Sequence, residues 1–257
     1  MIAERTVLIT GASSGIGRCF AEAYARQNCR LILCGRNTDA LEELSRQLNT
    51  ECTVIPGNLS EEDQCFQLLK QLEDNRIDIF INNAGFGAAG RFTEIPLEKE
   101  LEMVRVNDLA QHILFKGILQ KMQQQDSGTI LNVASSAGLF PGGPYMAAYY
   151  ASKAYMASLT RSVAQELKET GSNVYVCALC PGPVDTQFNN RADVIFSLKG
   201  ITPEKCVSEC LKAMGKHKTV IVPTLKMKAA VILQRLVPAS LMVRMTGHQQ
   251  KKKINAK

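Results

Sequence analysis

The sequence has no apolar run of membrane-spanning length and no aspartate or glutamate after position 215. The nine cysteines are scattered, with no histidine at ligand spacing, which argues against a zinc site or a disulfide framework. Cys206 and Cys210 lie four apart and read as one face of a helix. Thiols used in this way fit a reducing compartment, so a cytoplasmic location is expected. The short apolar runs exclude a spanning helix. "MIAERTVLIT" passes directly into strand-like residues, so no signal peptide is expected ahead of the fold. The missing acids leave ten lysines and arginines after position 215 unopposed, so a formal total of +6 leaves −4 on the residues before them. A solvated basic tail is the plainer reading, and attraction to acidic lipid headgroups is the sharper one. No aromatic residues interleave with these cations and no nucleic-acid module is present, so nucleic acid is not an expected partner.

What is present is ordinary for a soluble globular chain, with 46% hydrophobic and 21% charged residues. No repeat or linker divides it. It reads as one domain over residues 1–257, with 187–257 as a substrate loop and basic C-terminal extension.

Strand-like and helical stretches alternate. "TVLIT", "RLILCG", "CTVIPGNL", "IDIFINNAG", "GTILNVASS" and "NVYVCALCPGP" are rich in β-branched and apolar residues. Between them lie "GIGRCFAEAYARQ", "NTDALEELSRQLN", "EEDQCFQLLKQLEDN", the long "LEKELEMVRVNDLAQHILFKGILQKMQQQ" and "YYASKAYMASLTRSVAQELKET" at helical spacing. Such alternation predicts an α/β fold, a doubly wound parallel sheet of Rossmann type with helices on both faces. A ligand site is then expected at the carboxyl ends of the strands.

The first of those ends is "TGASSGIG", residues 10–17, with Gly11, Gly15 and Gly17 between a strand and a helix. Glycines there let the backbone approach a ligand, and helix-start amides favour a pyrophosphate. The spacing is G-x3-G-x-G, not the usual G-x-G-x-x-G. The end of the second strand, "CGRN", has Gly35 where an NAD-binding fold often carries a ribose-binding acid, and Arg36 follows. A guanidinium grips a 2′-phosphate, so NADP(H) is expected in preference to NAD(H).

"TGASSGIG", "NNAG" at 82–85, "YASK" at 150–153 with Tyr149 before it, and "PGPVDT" at 181–186 occur in order. Together they make residues 5–190 resemble the classical short-chain dehydrogenase/reductase family. "ILNVASSAG", "MAAYYASK" and "ALCPGPVDT" are most similar to poorly characterised bacterial-type oxidoreductases, and "SSAGLFP" is also similar to hydroxysteroid and 3-ketoacyl reductases. The resemblance implies an oxidoreductase that interconverts a carbonyl and an alcohol, forms a homodimer or homotetramer through the helices around 97–125 and 149–170, and holds a dinucleotide by position. Gly11, Ser13, Ser14, Gly15, Ile16 and Gly17 would meet the phosphates. Asn58, which stands where the family usually has aspartate, and Leu59 would lie by the adenine. Asn82, Ala84 and Gly85 would border the adenosine ribose. Pro181, Gly182, Val184 and Thr186 would meet the nicotinamide.

Four tyrosines surround Lys153. Helical spacing puts only Tyr149, four residues earlier, on its face; Tyr150 lies at the adjacent edge, Tyr155 on the far side, and Tyr145 before the helix. Tyr150 and Tyr155 read as core rings with satisfied hydroxyls. A free phenol has a pKa of about 10, and a nearby ammonium lowers it. Tyr149 is therefore expected to be the general acid/base, tuned by Lys153, which in the family also holds ribose hydroxyls. The family serine falls on Ser135 when counted from the strand start at Gly128, and on Ser136 when counted back from Tyr149. Ser135 is preferred because "PGGP" can absorb an insertion. Asn107 matches the family asparagine that supports a water linked to the lysine.

Substrate identity rests on the remainder. Phe188, Ile195, Phe196 and Leu198 in "QFNNRADVIFSLKG" suit a loop over a small apolar carbonyl or alcohol, or core packing. "KMKAAVILQRLVPASLMVRM" reads as a helix broken near Pro238, with three placements open: over the substrate cleft, at a subunit interface, or on a membrane surface. Packing on its own domain or a partner subunit is preferred. "KKKINAK" is expected to be disordered. A cofactor-binding sensor or scaffold with little turnover is the alternative to an enzyme.

Overall fold

The computed structural model describes residues 5–186 and 200–254. The expected substrate loop, including Phe188, Ile195, Phe196 and Leu198, therefore lies outside the described residues apart from its last glycine.

In chain order the strands are β1 (Thr6–Thr10), β2 (Arg30–Gly35), β3 (Cys52–Pro56), β4 (Ile79–Asn82), β5 (Gly128–Val133), β6 (Val174–Leu179) and β7 (Val220–Ile221). They form one parallel sheet in the order β3-β2-β1-β4-β5-β6-β7. The central strands are apolar on both faces because helices cover both. Helices α1 (Gly15–Ala25), α2 (Thr38–Gln47) and α7 (Pro203–Met214) pack on one side, where Cys206 and Cys210 are wholly buried. Helices α3 (Glu62–Gln71), α5 (Gln111–Gln124) and α6 (Ala147–Glu169) pack on the other. Each Leu, Ile or Val buried in these layers stabilises the fold by roughly 1.5–3 kcal/mol.

All nine cysteines are free and all but Cys52 are buried. Among the described residues no cluster of His, Cys, Asp and Glu could hold a metal ion. No described helix is long and apolar enough to cross a membrane.

Strand order reverses between β1 and β4, opening a crevice at their carboxyl ends. Thr10 ties the two ends together. Its hydroxyl accepts from the amides of Asn83 (3.0 Å) and Ala84 (3.1 Å), while Asn83 Nδ2 donates to the carbonyls of Thr10 (2.9 Å) and Gly11 (3.2 Å).

The long helix expected after β4 is divided. Helix α4 (Leu97–Val104) runs through a π-helical turn, Arg105–Ala110, into α5. The C-terminal segment is helix α8 (Leu225–Leu233), a 3₁₀ turn Gln234–Leu236, and helix α9 (Ala239–Ile254), with the break at Pro238 as expected. Helix α9 continues through Lys251–Ile254, which corrects the expectation of disorder there; residues 255–257 lie outside the described residues. The segment packs on its own chain. Gln234 Nε2 donates to the Leu139 carbonyl (3.1 Å), Thr246 Oγ1 to that of Gly142 (2.8 Å) and Gln250 Nε2 to the Tyr150 hydroxyl (2.7 Å).

Candidate active site

A cavity of about 870 Å³ occupies the crevice and runs from the β1–β2 ends to the C-terminal helices. No carboxylate lines it among the described residues.

At one end is the turn between β1 and α1. Gly11 and Gly15 have φ of +65° and +55°, which side-chain-bearing residues rarely adopt. Gly17 is held by contact instead: a Cβ there would lie 2.3 Å from the Gly11 carbonyl oxygen. Gly17 therefore packs behind the turn, while Gly11, Ser13, Ser14, Gly15 and Ile16 line the cavity. Ser14 is the N-cap residue of α1 but makes no side-chain cap, so the first-turn amides are left for a ligand. These features fit a pyrophosphate.

Arg36 lines the next section, beyond Gly35. It is half exposed, and its Nη1 pairs with Glu102 Oε1 at 2.7 Å. Asn58 and Leu59 also line the wall. Asn58 Oδ1 already accepts from the amide (3.3 Å) and hydroxyl (2.9 Å) of Ser60, and Nδ2 donates to Glu61 (3.0 Å). The acceptor expected to face the adenine is thus used in closing the local turn.

Ala84 and Gly85 reach the cavity, but Asn82 does not. It is fully buried and donates to the Gln111 carbonyl and to Asn132 Oδ1, both at 2.9 Å. Asn83 takes the wall position instead. The "NNAG" pattern marks the place, but β4 ends at Asn82 and the next side chain turns outward.

Tyr149, Lys153, Ser135 and Ser136 meet at the centre. Tyr149 and Lys153 share a face of α6, as their spacing predicts. The Tyr149 phenol is hydrogen-bonded with the Ser135 side chain. Ser135 Oγ also accepts from the Ala137 amide (3.1 Å), as cap of the 3₁₀ turn Ser136–Leu139. Lys153 Nζ donates to the Val133 carbonyl at 3.0 Å.

Burial sets the acidities here. It pushes Tyr149 up to about 12, against the Ser135 hydrogen bond, which lowers it. It pushes Lys153 down to about 8, against Asp108, which raises it. Asp108, in the π-turn, is itself pushed up to about 6 by burial, with Lys153 opposing. The expected lowering of the phenol by Lys153 is not found: loss of solvent raises it, and the group opposing that rise is Ser135.

Asn107 lies in the π-turn, buried and outside the cavity wall. Its Oδ1 accepts from the Phe86 amide (3.0 Å), and its Nδ2 donates to the Phe86 carbonyl (2.8 Å) and Ser152 Oγ (3.1 Å). It pins the chain leaving β4 to α6.

Pro181, Gly182, Val184 and Thr186 line the wall after β6. The far end is apolar and includes Phe140, Met146, Met227, Val237 and Met242, with Tyr150 and Gln250 as a polar pair. Tyr150 thus has the satisfied hydroxyl expected of it but also faces the cavity. Tyr155 departs from expectation: it is 41% exposed, with its hydroxyl 2.6 Å from His112 Nδ1. The wall residues from α8 and α9 were missed individually, since an apolar helical stripe looks the same whether it faces a core or a cleft.

Residues 5–194 match the family model described as short chain dehydrogenase. An uncharacterized oxidoreductase of Staphylococcus epidermidis is 34% identical over 194 residues, 75% of this chain and 83% of that protein. A short-chain dehydrogenase from Sphingobium yanoikuyae, solved in complex with NADPH, superposes with a TM-score of 0.82 at 29% identity, over 93% of this chain and 95% of that one. A Burkholderia phymatum short chain dehydrogenase/reductase in complex with NAD has the same TM-score at 26% identity, over 91% and 93%.

Proposed function

We infer the activity from one premise: the chain belongs to the short-chain dehydrogenase family, and is an oxidoreductase with a nicotinamide cofactor. Within that class we propose an NADP(H)-dependent carbonyl reductase acting on a small apolar ketone or aldehyde, or its reverse. The observation that carries this reading is the buried grouping of Tyr149, Ser135 and Lys153 on one cavity.

When bound, the cofactor supplies or accepts hydride. The Gly11–Gly17 turn and the free α1 amides would hold its phosphates, Ala84 and Gly85 its adenosine side, and Pro181, Gly182, Val184 and Thr186 the nicotinamide. Lys153 would donate to ribose hydroxyls. Arg36 would take the 2′-phosphate in exchange for Glu102; the absence of a carboxylate from the described wall supports NADP over NAD.

Burial pushes the Tyr149 pKa up to about 12, so the phenol carries its proton at neutral pH. A protonated phenol is the form that can donate to a carbonyl oxygen, as reduction requires. Ser135, bonded to the phenol, orients that oxygen. Asn107 holds the chain around Phe86 rather than touching the reacting atoms.

Calorimetric titration of NADPH and NADH into wild type and Arg36→Ala tests the cofactor reading. Tighter NADPH binding, with the difference lost in the variant, is expected; equal or tighter NADH binding in wild type would overturn it. Tyr149→Phe should keep NADPH affinity yet lose on the order of 10²–10⁴-fold in ketone reduction, the range for positioned acid catalysis. Near-wild-type turnover would remove Tyr149 from its role. Tight cofactor binding without reduction of any ketone in a broad screen would favour the sensor reading.

A further inference from the structure

Helix α8 is short and, apart from Lys226 and Lys228, apolar, and it has no buried residue. A largely apolar helix ordinarily has its apolar side chains covered. Here one side is accounted for. Met227, Ala230 and Gln234 follow helical spacing along α8 and its 3₁₀ continuation, Val237 comes just past that turn, and all line the cavity. On the opposite side Leu225 and Ile232 fall within roughly 20° of one another at helical spacing, and Leu236 follows in the 3₁₀ turn. They are 82%, 63% and 82% exposed. Leu241 and Met245 extend this outer surface onto α9, at 47% and 51% exposed.

Cations flank the outer stripe. Lys226, Lys228, Arg235 and Arg244 are exposed, and the segment has no acidic residue to neutralise them. Leu233 and Met245 belong to both surfaces: each lines the cavity, and each is at least half exposed, at 60% and 51%. They mark a place where the cavity wall meets the apolar exterior.

We propose that α8, its 3₁₀ continuation and the first turns of α9 dock on an anionic lipid surface, and that the cavity receives a lipid-dissolved carbonyl or alcohol from that side. A bare stripe of branched side chains edged by lysine and arginine is the pattern that lies in a headgroup layer. Charge complementarity selects the partner: a second copy of this chain would bring the same unopposed cations against these, whereas acidic headgroups neutralise them. The docking half stands on the surface alone; the substrate half rests on the reductase reading.

Flotation of the full chain with phosphatidylcholine vesicles, with and without phosphatidylglycerol, tests docking. Binding to the anionic vesicles at low salt, weakened as salt rises, is expected. Lys228→Gln, Arg235→Gln and Arg244→Gln together should weaken it on the order of a hundredfold. Leu225→Gln, Ile232→Gln and Leu236→Gln together should weaken it at least about tenfold, with thermal unfolding confirming that each variant is folded. A chain that stays with the soluble fraction in anionic vesicles at low salt overturns the proposal. So does vesicle binding indifferent to the apolar triple variant, or a size measurement in which that variant turns a dimer into a monomer while neither form binds vesicles. Vesicle binding without NADPH binding would uphold docking and overturn the reductase reading.

Discussion

Lys153 and Tyr149 lose their solvent together, and each is pushed toward its neutral form: the lysine down to about 8, the phenol up to about 12. This gives cofactor binding a pH dependence of known sign. If the ammonium donates to ribose hydroxyls, binding raises the lysine's pKa above its free value. That contribution is then complete below about pH 8 and is lost as pH rises through 8 toward the bound value, by up to about tenfold per pH unit. Calorimetry from about pH 7 to about pH 9.5 should show the decline, and Lys153→Met should bind more weakly with a flat profile; a flat wild-type profile would sever Lys153 from the cofactor. Helical spacing made the Tyr149–Lys153 pairing legible in the sequence, because i and i+4 must share a face. The direction of their acidities was not legible, since depth of burial depends on β5, β6 and the C-terminal helices, all remote in the chain. Asn82 and Asn83 show the same limit: the motif locates the site, but only the point where β4 ends decides which amide faces it.

Between elements, the closest fit is where the 3₁₀ turn after β5 rests on α6. A Cβ on Gly138 would lie 2.2 Å from the Lys153 carbonyl oxygen, so only glycine lets Ser135 and Tyr149 be carried so near one another. Gly138→Ala should destabilise the fold by about 1–3 kcal/mol, as overpacking does, and should reduce turnover further by parting Ser135 from Tyr149. Thermal melts and ketone-reduction rates on the same preparation check this; unchanged values for both would show that the turn yields freely. The alternating elements were legible because a parallel sheet needs a crossover between strands. The π-turn was not: one extra residue per turn barely alters an apolar pattern that long, yet it is what brings Asn107 and Asp108 inward. "PGGP", read as an insertion, is the seat for Thr246, whose hydroxyl donates to Gly142.

For the whole molecule, the outer face of α4 invites self-association. Leu97, Leu101 and Val104 follow one helical stripe and are exposed, as is Tyr155 on α6. We propose that this face pairs two copies, consistent with the helices that the family resemblance named. Leu101→Glu with Val104→Glu should shift the mass measured by light scattering to that of one chain, and an unchanged mass would place any interface elsewhere. The position of the C-terminal segment was the least legible part at this scale. Three placements satisfied the same apolar-and-basic pattern, and the choice required the polar contacts through Gln234, Thr246 and Gln250.

That segment divides the chain's labour unevenly. The residues gathered around the phenol and the phosphate turn all lie before position 187, whereas the apolar far wall draws much of its surface from residues after 222. Chemistry and choosiness are thus written in separate passages of one text. Revision of the later passage can alter what enters, and from where, while the grammar of the earlier one stays intact.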